Sequence, residues 1–115
     1  MVFPSKFEGY GIPVVEAMAL GVPVLCSRIG PLEELAAGAA ELFDPDSASA
    51  IAASIERVWN DEAGRNRLKV AGARRVQMLD WGQSARDFIL CYRHVAGRAL
   101  HDAERARLEL LLGDS

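Results

Sequence analysis

The 115-residue sequence predicts an α/β fold, a partial Rossmann-like parallel sheet with flanking helices that trails into a helical tail. Three observations carry that expectation. Short apolar runs at residues 1–3, 22–26 and 40–43 alternate with helical stretches, and a β-α-β-α-β order favours parallel strands joined by helical crossovers. The middle run is apolar without alternation, as in a strand covered on both faces. Glycine or proline punctuates the junctions, at Gly9, Gly11, Pro13, Gly21, Pro31, Gly38 and Pro45.

Taken in order, Met1, Val2 and Phe3 followed by Pro4 and Ser5 predict the end of a buried strand, as though the chain starts in mid-fold. Residues 8–11, Glu-Gly-Tyr-Gly, form a glycine-bracketed loop. Pro13 suits the first turn of a helix, where its missing N–H would go unpaired anyway. That helix is expected over residues 12–20, with Gly21 as its left-handed cap. A second strand follows at 22–26, then a short helix over 31–36 ended by Gly38, then a third strand at 40–43 closed by Asp44, Pro45 and Asp46.

Ser47 or Ser49 can cap a helix whose Ile51, Ile55, Val58 and Trp59 make an apolar face, and residues 60–62 break it. A polar helix is expected over 63–78. After Asp80, Trp81 and Gly82 comes another, with Ala85, Phe88, Ile89, Tyr92 and Val95 on one face. Residues 98–112 read as a last helix in which Arg107 interrupts a face of Leu100, Leu108 and Leu111. Trp59 and Trp81 are expected to be core anchors. Arg65, Arg67, Lys69, Arg74 and Arg75 form a basic run, first of all a solvated helix face, with peripheral contact to an anionic membrane as the alternative.

Hydrophobic residues make up 50% of the chain and charged residues 25%, which suits one folded core rather than disorder or two domains. Thirteen Lys and Arg against sixteen Asp and Glu give a net charge of -3, the wrong sign for binding nucleic acid by counterion release. The charge is uneven: residues 1–46 hold two bases and seven acids, leaving eleven bases and nine acids for the rest. Cys26 and Cys91 have no metal-ligand spacing, and His94 and His101 lie in the helical tail. We expect two free thiols, no structural zinc and a cytoplasmic location. Glu16, Gly21 and Pro23 interrupt the most apolar stretch, so neither a membrane span nor a signal peptide is expected.

Chemistry concentrates in residues 8–16, Glu-Gly-Tyr-Gly-Ile-Pro-Val-Val-Glu. Unpaired N–H groups at a helix start favour an anion, and glycines let that backbone come close to it. Glu16, about one turn inside the helix, suits a neutral pair of donors such as vicinal ribose hydroxyls. Glu8, before the loop, can accept from other hydroxyls or face developing positive charge. Phosphates in the middle and sugars at both ends is the ligand shape that such a segment fits.

This segment resembles the E-x7-E motif of the retaining GT-B glycosyltransferases of family 4, also called group 1, which typically reads E-G-F-G-x-P-x-x-E-A-M-A-x-G-x-P-V. Here Tyr10 stands in the aromatic place, and Glu8, Gly9, Gly11, Pro13, Glu16, Ala17, Met18, Ala19, Gly21, Pro23 and Val24 match. At average residue usage the five anchors Glu8, Gly9, Gly11, Pro13 and Glu16 would coincide on the order of once in 10⁶ windows. The resemblance continues through Ser27, Leu32–Leu35, Gly38, Asp44, Pro45, Asp80 and Trp81, with Glu33 where the family often has proline. It implies a division into residues 1–95, part of a nucleotide-sugar-binding domain, and residues 96–115, a helical tail without counterpart.

By position, the resemblance implies Glu16 as the ribose ligand, Glu8 as the catalytic, sugar-side carboxylate, and Gly9, Tyr10 and Gly11 as backbone donors to the sugar and diphosphate. It further implies a nucleoside-diphosphate-sugar donor, transfer with retention, no catalytic metal or cofactor, and an acceptor that the residues do not name. An acceptor domain and the upstream bases that face the diphosphate are expected outside this segment. The segment alone is therefore expected to be inactive, weak in nucleotide binding and prone to self-association along an open sheet edge. Two rivals remain: a nucleotide-sugar epimerase or glycogen-synthase-like enzyme on the same scaffold, and a non-catalytic α/β remnant serving as an interaction module.

Overall fold

A computed structural model describes residues 1–113. Its elements run β1 (Val2–Phe3), α1 (Ile12–Ala19), β2 (Leu25–Ser27), α2 (Gly30–Ala36), β3 (Glu41–Phe43), α3 (Ala48–Asn60), α4 (Glu62–Gln77), α5 (Trp81–Val95) and α6 (Asp102–Leu112). The strands form one parallel sheet in the order β1-β2-β3, with Val2 beside Leu25 and Leu25 beside Glu41. The α/β class and its parallel crossovers thus stand as expected.

By compactness the chain divides into a unit of residues Met1–Leu79 and a second from Asp80 onward. The division at residue 95 read from the sequence follows the family resemblance instead, and α5 groups with α6 rather than with the sheet.

In the first unit, β2 is the buried centre: Val24, Leu25, Cys26 and Ser27 are all buried. Val14, Met18, Leu32, Leu35 and Ala36 from α1 and α2 complete the core. Gly72 of α4 lies against Met18, where an added Cβ would stand 3.1 Å from the Met18 Cγ, so the absence of a side chain lets α4 close on α1. Burial raises the Cys26 thiol to about 11, and Cys26 and Cys91 are both free.

The second strand is shorter than the apolar run that predicts it. Gly21 takes the left-handed conformation, its N–H donates to the Met18 carbonyl, and the Val22 N–H donates to the Ala17 carbonyl at 2.9 Å. Those two bonds finish α1 as a Schellman motif and use the Val22 donor. Pro23 has none, so the ladder starts only at Leu25.

Ser47, not Ser49, caps α3 by accepting from the Ala50 N–H, and Asp61 does the same for α4 from Gly64. The expected apolar face of α3 is only partly covered: Ile51 and Val58 are half-buried, Ile55 is exposed, and the buried residue of the helix is Ser54. Trp59 is 79% exposed and Trp81 75%, which overturns their reading as core anchors. Trp59 lies one residue past Val58, about 100° around the helix from the stripe that meets β3 and α4.

The basic run also differs from a plain solvated face. Arg65 donates to the carbonyls of Val58 and Trp59 at the end of α3, and Arg75 to those of Leu35 and Glu34 at the end of α2. Both cations thereby complement the negative end of a helix dipole and satisfy carbonyls that a helix end leaves unpaired. Arg67 pairs with Asp61.

In the second unit, Gly97 turns the chain with φ 66, so α6 begins at Asp102 rather than near residue 98. His101 and Glu104 cap it reciprocally, giving one of the two histidines a structural use. Its partner is α5. Arg107 donates twice to the Asp87 carboxylate, and Arg93 pairs with Glu104 around the buried Leu90 and Leu108. The Arg107 hydrogen bonds hold the Asp87 carboxyl below its ordinary value. Phe88, Ile89, Tyr92 and Val95 are exposed. No helix among the described residues is long and apolar enough to cross a membrane.

Candidate donor site

Parallel strands send their following loops from one edge of the sheet, the edge where open α/β folds bind ligands. Here those loops are residues 4–11 after β1, 28–29 after β2 and 44–47 after β3. Lys6 on the first is paired with Asp46 on the third, and Arg28 with Glu33, so both cations at this edge already have carboxylate partners. All four side chains are more than half exposed, and such pairs contribute little to stability. Ser5 donates to the Phe7 carbonyl at 2.9 Å, closing a turn within the first loop. Ser27 is fully buried and donates to the Phe3 carbonyl.

Gly11 decides how the first loop meets α1. It is the N-cap, with φ 97 and ψ 43, a left-handed conformation that L side chains adopt only under strain. A Cβ there would lie 2.4 Å from Leu32 Cδ2 and 3.1 Å from Leu35 Cδ2. Two independent demands, backbone angle and contact with α2, therefore require glycine at this position. Gly9, by contrast, is exposed, with nothing within 4 Å of where its Cβ would be.

Pro13 lies in the first turn as expected, and no side chain caps the start of α1. Among the described residues, the amides of Gly9, Tyr10 and Gly11 donate no hydrogen bond. Glu8 is half-buried just before the loop, Glu16 is exposed on α1, and Tyr10 is 47% exposed. Neither carboxylate enters a hydrogen bond or ion pair with another described residue. Free amides at the positive end of a helix dipole, with a free carboxylate on either side along the chain, can accept an anion flanked by hydroxyl groups.

Beside Gly9 and Tyr10 an open recess of about 510 Å³ extends to Gly30, Pro31, Glu34 and Arg75. None of these four lies in the motif from Glu8 to Glu16. Arg75 could not have been found locally, because the carbonyls it holds belong to residues 40 and 41 positions away. A second recess, about 430 Å³ between α3, α4 and β3, has its polar groups already paired with one another, Glu41 with Arg57 and Asp61 with Gly64 and Arg67. It offers no free group to a ligand and is not a candidate site.

The α/β fold with its parallel sheet matches the C-terminal part of GT-B proteins, and the comparisons with known proteins define the family. A family profile described as "Glycosyl transferases group 1" matches residues 1–75, and the chain belongs to that family. It is 34% identical over 92 residues to the O-antigen chain mannosyltransferase B of Escherichia coli, covering 80% of this chain and 24% of that protein. With the D-inositol 3-phosphate glycosyltransferase of Frankia alni it shares 30% identity, over 86% of this chain and 25% of the relative. Among solved structures, the sucrose-phosphate synthase of Thermosynechococcus elongatus superposes with a TM-score of 0.73 at 34% identity, covering 84% of this chain and 25% of that one. The chain thus spans about a quarter of the length of these relatives.

Proposed function

We propose that the segment is the donor half-site of a glycosyltransferase that takes a sugar from a nucleoside diphosphate and transfers it with retained anomeric configuration. The observation that carries the reading is the pair of unpartnered carboxylates, Glu8 and Glu16, on either side of a loop whose amides are free at a helix start. In this reading Glu16 accepts from the ribose hydroxyls, Glu8 stands by the donor sugar, and the amides of Gly9, Tyr10 and Gly11 face the diphosphate and sugar hydroxyls.

The chemistry demands that negative charge developing on the leaving diphosphate be stabilised while the sugar turns oxocarbenium-like. Loop amides and the helix dipole serve the first need and the Glu8 carboxylate the second. Lys6 and Arg28 are engaged with Asp46 and Glu33, so further positive charge for the diphosphate is expected from residues outside this segment, as is the acceptor site. No metal or cofactor has a role in this scheme.

Incubation with nucleoside-diphosphate sugars tests the reading. The 115-residue chain alone is expected to release no nucleoside diphosphate above a Glu8→Ala, Glu16→Ala control. A longer protein joining these residues to an acceptor-binding half is expected to form product with the donor's anomeric configuration, as read by proton NMR. Turnover by the chain alone, or an inverted product from the longer protein, would contradict it.

A further inference from the structure

We propose that Arg75 is a positioning residue for the donor loop, acting through α2 rather than on the ligand itself. The inference rests on the donor-site reading for its functional consequence, but its structural part stands without it.

A continuous chain of contacts links Arg75 to the loop. Arg75 Nε donates to the Leu35 carbonyl at 2.7 Å and its Nη2 donates to the Glu34 carbonyl at 3.1 Å. A planar guanidinium reaching two successive carbonyls at a helix end fixes both the position and the rotation of that end. The helix so held is α2, only seven residues long and ended by Ala37 in the left-handed conformation at φ 44, a strained choice for a residue with a Cβ. A helix this short has little stability of its own and depends on its tertiary contacts.

Leu32 and Leu35 of the same helix are buried and form the surface on which Gly11 rests, too close to admit even a Cβ. Gly11 in turn sets where the loop amides and the first turn of α1 point. Rotation of α2 by a fraction of a turn would withdraw Leu32 and Leu35 from Gly11 and release the loop from its left-handed cap. Arg75 also lines the recess that Gly9 and Tyr10 border, so the cation and the loop it positions face the same solvent space.

Arg74, one residue earlier on α4, is exposed and makes no hydrogen bond among the described residues, which makes it a matched control. The test compares the chain with its Arg75→Met, Arg75→Lys and Arg74→Met variants by nitrogen-15 NMR and by thermal melting. In Arg75→Met the amides of Gly9, Tyr10 and Gly11 are expected to shift and to show lower heteronuclear NOE values as the loop loosens, while those in the middle of α3 keep wild-type values. Arg75→Lys, which keeps a donor for one carbonyl, is expected to restore part of the effect, and Arg74→Met is expected to leave the loop unchanged.

Titration with uridine or guanosine diphosphate adds the functional reading, with affinity for the diphosphate expected to fall about threefold to thirtyfold in Arg75→Met. Loop amides that stay unchanged in a folded Arg75→Met chain would overturn the proposal, and so would an equal response to Arg74→Met. If Arg75→Met fails to fold, the Lys variant decides: loop amides intermediate between wild type and a detached loop support the proposal, and wild-type ones overturn it. Loss of loop order in a chain that binds neither nucleotide would uphold the role of Arg75 and count against the donor-site reading alone.

Discussion

Glu16→Gln is expected to weaken nucleotide-sugar binding about ten- to hundredfold in a protein that joins this segment to an acceptor-binding half. Glutamine keeps the length and shape of the side chain but loses the charge that strengthens hydrogen bonds from ribose hydroxyls. Charge-assisted hydrogen bonds are worth about 1.5–3 kcal/mol, which sets the size of the loss. Glu16 is exposed and has no partner among the described residues, so the substitution should leave the melting temperature nearly unchanged. Calorimetric titration of the variant with donor checks the assignment, and an unchanged Kd would remove Glu16 from the ribose.

Gly11→Ala should have the largest effect on stability of any single-methyl change in the first unit. The methyl group would have to occupy a left-handed conformation at φ 97 and stand 2.4 Å from Leu32 Cδ2. Leu32 is fully buried in the core cluster that includes Val14, Leu35 and Ala36, so displacing it disturbs the packing of that core. Left-handed strain of about 1–2 kcal/mol and overpacking of about 1–3 kcal/mol together predict a loss of roughly 2–5 kcal/mol. For a unit of this size that lowers the melting temperature on the order of 10–40 °C. Gly9→Ala meets nothing within 4 Å and is the control, expected to melt with the wild type. Equal melting of all three chains would show that the contact with α2 does not constrain the loop.

What could be read in the sequence was what is decided locally. Gly11, Pro13, Gly21 and the capping Ser47 announce element ends because their backbone angles or missing donors act on the residues beside them. The segment from Glu8 to Glu16 is local in the same sense, since a loop and the start of one helix carry all of it. Elements that depend on remote partners were not. The strand at β2 begins three residues later than its apolar run because the Val22 donor is taken by Ala17, a bond invisible to a hydrophobicity pattern.

Trp59 and Trp81 look like core residues by type, yet type alone does not say which face of a helix is covered. Arg75 lies in a run of bases that resembles a solvated face, and its use is visible only once α4 brings it to carbonyls at the end of α2. His101, without metal-ligand spacing, turns out to cap α6. In each case the deciding contact is a property of the tertiary structure or of a cap that a histidine seldom supplies.

The central claim is that the free amides and carboxylates of residues 8–16 receive the nucleotide. Backbone amide shifts of the 115-residue chain, followed while uridine or guanosine diphosphate is raised into the millimolar range, test it most directly. The account predicts saturable shifts centred on Gly9, Tyr10, Gly11 and Glu16, weak in affinity and lost in the Glu16→Gln chain. No shift at these residues, or shifts centred instead on the recess between α3 and α4, would contradict it.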